Sequence, residues 1–123
     1  MKAKNLKEFK ALIKRYESIT LEEIKNTDIP ANAERLIFLQ TTSGYAQKAN
    51  ILTGFGNRDT CSLCKIGGKD IDCDDCLYTI KTGNHCNQGV NLKTFMGILY
   101  ADTRTKLRNA FHARVKHMKT LLK

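Results

Sequence analysis

Residues 61–76 read CSLCKIGGKDIDCDDC: two Cys-x-x-Cys pairs separated by eight residues, with a fifth cysteine, Cys86, ten positions further on. These are all the cysteines of a 123-residue chain. A Cys-x-x-Cys turn aims two sulfurs at one point. Two such turns joined by a glycine-containing loop can close a tetrahedral thiolate site, the arrangement that suits Zn2+. Lys65, next to Cys64, adds a compensating positive charge. The simplest ligand set is Cys61, Cys64, Cys73 and Cys76 for one structural zinc. Cys86 is the substitute ligand in a rival set that drops Cys73 or Cys76, and it is the cysteine we expect to be spare. His85, adjacent to Cys86, reads first as a loop histidine.

The same residues argue against catalysis. A catalytic zinc keeps an open position beside an acid or base. Neither His-x-Glu nor His-Glu-x-x-His occurs,. The nearby carboxylates, Asp70, Asp72, Asp74 and Asp75, read as turn residues and a solvated rim. No catalytic residue is assigned. A single Cys-x-x-Cys in a βαβ setting would read as a redox motif, but there is no βαβ pattern here. An iron–sulfur cluster also takes four thiolates, so spacing alone leaves that alternative open. The odd cysteine count and the absence of a secretory-type apolar run at the start point to a reducing, cytoplasmic setting without structural disulfides,.

The formal charge is +9, unevenly spread. Residues 27–99 are neutral, whereas residues 100–123 hold seven Lys or Arg against one Asp. A basic terminus is an electrostatic footprint for a polyanion, although lysine-rich surfaces also occur for solubility alone. On a helical wheel Leu107, Phe111, Met118, Leu121 and Leu122 share one arc. Arg108, His112, Lys116, Lys119 and Lys123 share another, about 80° wide,. Arg114 falls inside the apolar arc, so it either snorkels, pairs with a carboxylate at the core edge, or is a buried or interfacial guanidinium used for recognition. Nucleic acid is the expected partner of this face, and a host protein is the alternative. Aromatic stacking on single strands would draw on Tyr100 and Phe95,. No helix-turn-helix or C2H2 pattern supports sequence-specific DNA reading. No apolar run is long enough for a membrane span,.

Amphipathic segments must position these groups. The apolar spacing predicts a first helix over residues 3–17, with Leu6, Phe9, Ile13 and Tyr16 on one face,. Thr20 and Glu23 form a capping-box pattern, and Ile19 and Ile24 take its staple positions,. Pro30 can open a third helix through ANAERLIFLQ, breaking at TTSG or running on to about Leu52,. Residues 61–90 read as turns and short hairpins, with Gly67 and Gly68 in a tight turn,. KTFMGILYA reads as a short helix, and a last helix starts at Asp102 or Thr103 and runs to about Leu122,. The expected fold is mainly α: one small helical domain whose zinc-stapled, loop-rich cysteine module (53–90) lies between helical parts at 1–52 and 91–123. Helices 1, 3 and the last should pack together, with the module against the third and last.

The segments TGFGNRDTCSLC, CDDCLYTIKTGNHC and AFHARVKHMKTLL resemble a small cysteine-rich module of uncharacterised tailed-bacteriophage proteins, across roughly residues 53–122. The resemblance implies a phage origin, a metal-binding module and, for a viral protein, the host cytoplasm. It implies no particular activity.

Overall fold

A computed structural model describes residues 2–29, 44–56 and 61–123. The expected helix from Pro30 and its apolar residues lie outside the described residues. The chain is mainly helical. Helix α1 spans Leu6–Ser18, α2 Leu21–Asn26 and α3 Gly44–Thr53. A two-stranded hairpin pairs β1 (Lys65–Ile66) with antiparallel β2 (Lys69–Asp70), and α4 covers Leu77–Thr82. The chain closes with α5 (Leu92–Leu99) and α6 (Arg104–Thr120).

Helix α6 is the axis of the packing: α5, α1, α2 and α3 all lie against it. Its inner side buries Leu107, Phe111, Val115 and Met118. Facing it, α1 buries Phe9, Leu12, Ile13 and Tyr16, and the Tyr16 ring stacks on Phe111 with centroids 5.1 Å apart. Leu6, expected on the inner face, is instead 43% exposed. Six residues further on, Leu12 takes an inward place that the spacing did not assign. The chain before α1 is turned toward the cysteine region, and Asn5, not Leu6, is the residue buried there.

Local signals set most helix ends. Thr20 Oγ1 accepts a hydrogen bond from the Glu23 backbone N–H at 3.1 Å, and Ile19 and Ile24 are both buried, as the capping pattern requires,. Glu23 also receives the Arg15 guanidinium at 2.7 Å, which is the first cause of its lowered carboxyl pKa. Thr103 caps α6 by accepting from the Lys106 N–H at 3.0 Å,. Helix α6 stops at Thr120, slightly short of the expected end. Between the strands, Gly67 and Gly68 have φ of +61° and +80°, the left-handed pair a two-residue hairpin turn needs,. Helix α4 was not expected in a region read as turns. Its six residues gain support by burying Leu77 and Tyr78. Gly83, with φ of +75°, ends it in the left-handed conformation,.

Candidate metal centre and basic face

Each cysteine pair forms a closed turn. The Cys64 N–H donates to the Cys61 carbonyl at 3.0 Å, and the Cys76 N–H to the Cys73 carbonyl at 3.1 Å. In the first pair the following chain turns back, so that the Ile71 N–H reaches the Cys64 carbonyl at 2.9 Å. In the second, Asp72 caps a 3-10 turn at Cys73–Asp75 by accepting from the Asp74 N–H. This is the turn role expected of these aspartates.

None of the five cysteines is in a disulfide, and all five line one cavity of about 550 Å³. Its wall is otherwise largely apolar and aromatic, with Leu12, Tyr16, Phe55, Leu63, Tyr78 and Phe95. Cys86 therefore stands with the other four rather than apart from them. Among the described residues, no three His, Cys, Asp or Glu side chains stand in an arrangement that could hold a single ion as they are placed. Capture of one ion would have to draw sulfurs together. His85 borders the cavity but faces Asp74, with Nε2 3.7 Å from Oδ1.

The thiols are chemically unequal. A hydrogen bond with Cys64 lowers the Cys61 pKa against the opposing effect of burial. Burial raises Cys76, partly offset by the Asn5 amide, whose Nδ2 donates to Cys76 Sγ at 3.1 Å. Burial pushes the Cys86 thiol up to about 11, with the Arg114 charge pulling the other way.

Two asparagines that no local sequence pattern marks hold the region to the helices. Asn5 is fully buried. Its Nδ2 donates to the Leu63 carbonyl at 3.0 Å, inside the first cysteine turn, and its Oδ1 accepts from the Leu77 N–H at 3.0 Å, just after the second. One amide thus clamps both turns. The Lys4 N–H adds a bond to the Asp75 carbonyl at 2.9 Å, with an ion pair between the side chains at 3.3 Å. Asn91, also fully buried, donates from Nδ2 to Thr82 Oγ1 and to the Asn84 and His85 carbonyls. Its Oδ1 is then the acceptor for His117 Nε2 at 2.6 Å, which places that ring's proton on Nε2,.

Arg114 does not belong to the surface. It is 3% exposed and neither snorkels nor pairs with a carboxylate of any described residue. One terminal nitrogen donates to the Asn91 carbonyl at 2.8 Å and Thr94 Oγ1 at 2.9 Å. The other donates to the Cys86 carbonyl at 2.9 Å. The guanidinium lies 4.5 Å from the centre of the Tyr78 ring, a cation–π contact,.

The remaining basic residues do share a face. Arg108, His112, Lys116, Lys119 and Lys123 are all exposed, on the side of the chain's last segment away from its core-facing residues. Lys119 reaches Glu17 of α1 at 2.7 Å, and a groove lined by Glu17, His112, Val115, Lys116 and Lys119 runs beside that contact. The Lys123 carbonyl receives Lys81 Nζ at 3.3 Å. Of the two aromatics considered for stacking, Tyr100 is 58% exposed, whereas Phe95 is buried against Phe55 at 4.8 Å and is unavailable. Among the described residues no helix is long and apolar enough to cross a membrane.

Comparison with protein-family models, with curated proteins and with solved structures found no match for this chain.

Proposed function

We propose that this chain is a non-enzymatic, phage-type nucleic-acid-binding protein whose cysteine region is stapled by one structural Zn2+. The observation that carries the binding reading is the exposed row of Arg108, His112, Lys116 and Lys119 on a helix whose adjoining face is core. From Arg108 to Lys119 this row spans about 17 Å of helix axis. It can meet several phosphates of one strand without disturbing the fold. The zinc reading draws its support from five reduced thiols gathered on one cavity by two closed Cys-x-x-Cys turns. A thiolate site would fix a segment whose own apolar content is small. With Tyr100 the one exposed aromatic of the pair considered, backbone charge rather than base stacking is the main source of affinity.

The test is fluorescence anisotropy with short single- and double-stranded RNA and DNA across a salt series. Affinity should fall steeply with salt as phosphate counterions are released. Replacing Arg108, Lys116, Lys119 and Lys123 with Gln should remove most binding. No binding at roughly 50 mM salt, where the electrostatic contribution is large, would end this reading. The alternative is a factor that binds a host protein. Affinity capture from host cells that leaves a protein attached after nuclease treatment would favour it.

A further inference from the structure

Arg114 carries a full positive charge into the interior, and among the described residues none of its contacts balances that charge. Its partners are two carbonyls, a hydroxyl and an aromatic ring, all formally neutral. Its Nε–H is buried and has no acceptor among the described residues. Burying a guanidinium without a counter-charge is costly, because its hydration is lost and nothing of opposite sign replaces it. The charge does have a direction, since Arg114 lines the cavity bordered by the five cysteines. Among the described residues no carboxylate lines that cavity, and Arg114 is its one Lys or Arg. The interior therefore holds a fixed cation facing a set of groups that become anionic only on losing protons.

We infer that Arg114 is the internal counter-cation of a dianionic metal–thiolate centre in the cysteine cavity. This rests on the zinc reading above and goes beyond it by assigning the charge balance. Four thiolates and one divalent ion sum to −2. One guanidinium beside them halves that charge inside a low-dielectric wall, where an unbalanced dianion would be disfavoured. The same side chain donates to the Cys86 carbonyl, so it also holds the backbone of the substitute ligand at the cavity wall while it stabilises the charged form of the site,. Arg114 is thus a positioning residue of the centre. Its place in the apolar arc of α6 has a use at the metal, not at the protein surface.

The full chain and two variants, Arg114→Lys and Arg114→Met, are titrated with Co2+ and Zn2+. Affinity is read by competition with a chromophoric chelator, and the thiolate-to-cobalt charge-transfer band reports ligation. Melting is recorded with and without metal. Arg114→Met should lose roughly 10- to 100-fold in metal affinity, the usual cost of removing an outer partner of a ligand set. Arg114→Lys, which keeps the charge but not the planar fork, should retain most of the affinity. Without metal, Arg114→Met should lose less stability than it does with metal, because removing an uncompensated charge offsets part of the cost of leaving the Asn91 and Cys86 carbonyls and the Thr94 hydroxyl unpaired,.

A merely structural fork predicts something else: both variants melt lower by the same amount with and without metal, and Arg114→Met binds zinc as tightly as the natural chain. That result would overturn the inference and leave the zinc reading standing. A natural chain that takes up neither ion would remove the zinc reading and this inference together. Should Arg114→Met fail to fold, Arg114→Gln, neutral but still able to donate to the same carbonyls, takes its place. A loss of roughly 10- to 100-fold in metal affinity supports the counter-cation, and affinity equal to that of the natural chain overturns it.

Discussion

The helical scaffold and the cysteine region are held by different forces. In the scaffold, Phe9, Ile24, Ile98, Leu107, Phe111 and Met118 are wholly removed from water, and ring stacking joins α1 to α6. In residues 61–91 the buried apolar side chains are Leu63, Leu77 and Tyr78. That segment is positioned instead by polar threads: Asn5 to both cysteine turns, Asn91 to the loop before Cys86, and Arg114 to Cys86 itself. Apolar packing is diffuse and tolerant, spreading its energy over many contacts. A buried polar thread is concentrated. Losing one partner leaves the other desolvated and unpaired. The two regions should therefore fail separately and in different ways.

The largest separation should follow metal removal. Under chelation, or in Cys61→Ser or Cys64→Ser, hydrogen-exchange protection should vanish across residues 61–91 and persist in α1 and α6, because ligand binding and local folding are coupled. Among Cys73, Cys76 and Cys86, one serine replacement should be tolerated, with Cys86 expected. Equal protection of both regions with and without chelator would erase the distinction. Phe111→Ala breaks the comparison from the other side. Truncating a fully buried ring stacked on Tyr16 should cost about 3–5 kcal/mol in denaturant unfolding and lower both regions together,.

Asn5→Leu is a smaller and sharper probe. It keeps asparagine's branched shape and number of heavy atoms but leaves the Leu63 carbonyl and the Leu77 N–H without their partner. The expected loss is about 1–3 kcal/mol, concentrated in the exchange of residues 61–78 and sparing the α5–α6 pair. A uniform loss across the chain would mean that Asn5 serves the scaffold rather than the cysteine turns.

The pH dependence should be smaller still. Burial, followed by the neighbouring Arg114 charge, lowers the His117 pKa below its ordinary 6.5. The folded state then binds fewer protons than the unfolded state near that pH. The stability that neutral His117 confers is present above 6.5 and is lost as pH falls through its lower folded value,. Melting followed from pH 7.5 to 5 should show this decline, and His117→Gln should flatten it. At the bottom of the scale, the quadruple Gln variant of the basic face should move stability by no more than about 0.5 kcal/mol, since its residues are exposed,.

Local chemistry alone determined a good deal of this protein. The periodicity of α1 and α6, the Thr20 and Thr103 caps, the glycine turn at 67–68 and the closed Cys-x-x-Cys turns depend on residues within a few positions of one another. Such short-range patterns are legible without a fold. The basic face of α6 was legible for the same reason, because a helix fixes the angles of its own side chains. Tertiary structure decided the rest. It chose Leu12 over Leu6 for the inner face of α1, buried Phe95, and formed α4 in a stretch whose own signals favour turns. It gathered Cys86 with the four paired cysteines, brought Asn5 to a partner more than fifty positions away at Leu63, and chose burial among neutral partners from the readings open for Arg114. An asparagine or an arginine carries the same hydrogen-bonding groups wherever it stands. Only the groups that the fold brings within about 3 Å determine whether it faces water, caps a turn or balances a charge in the interior.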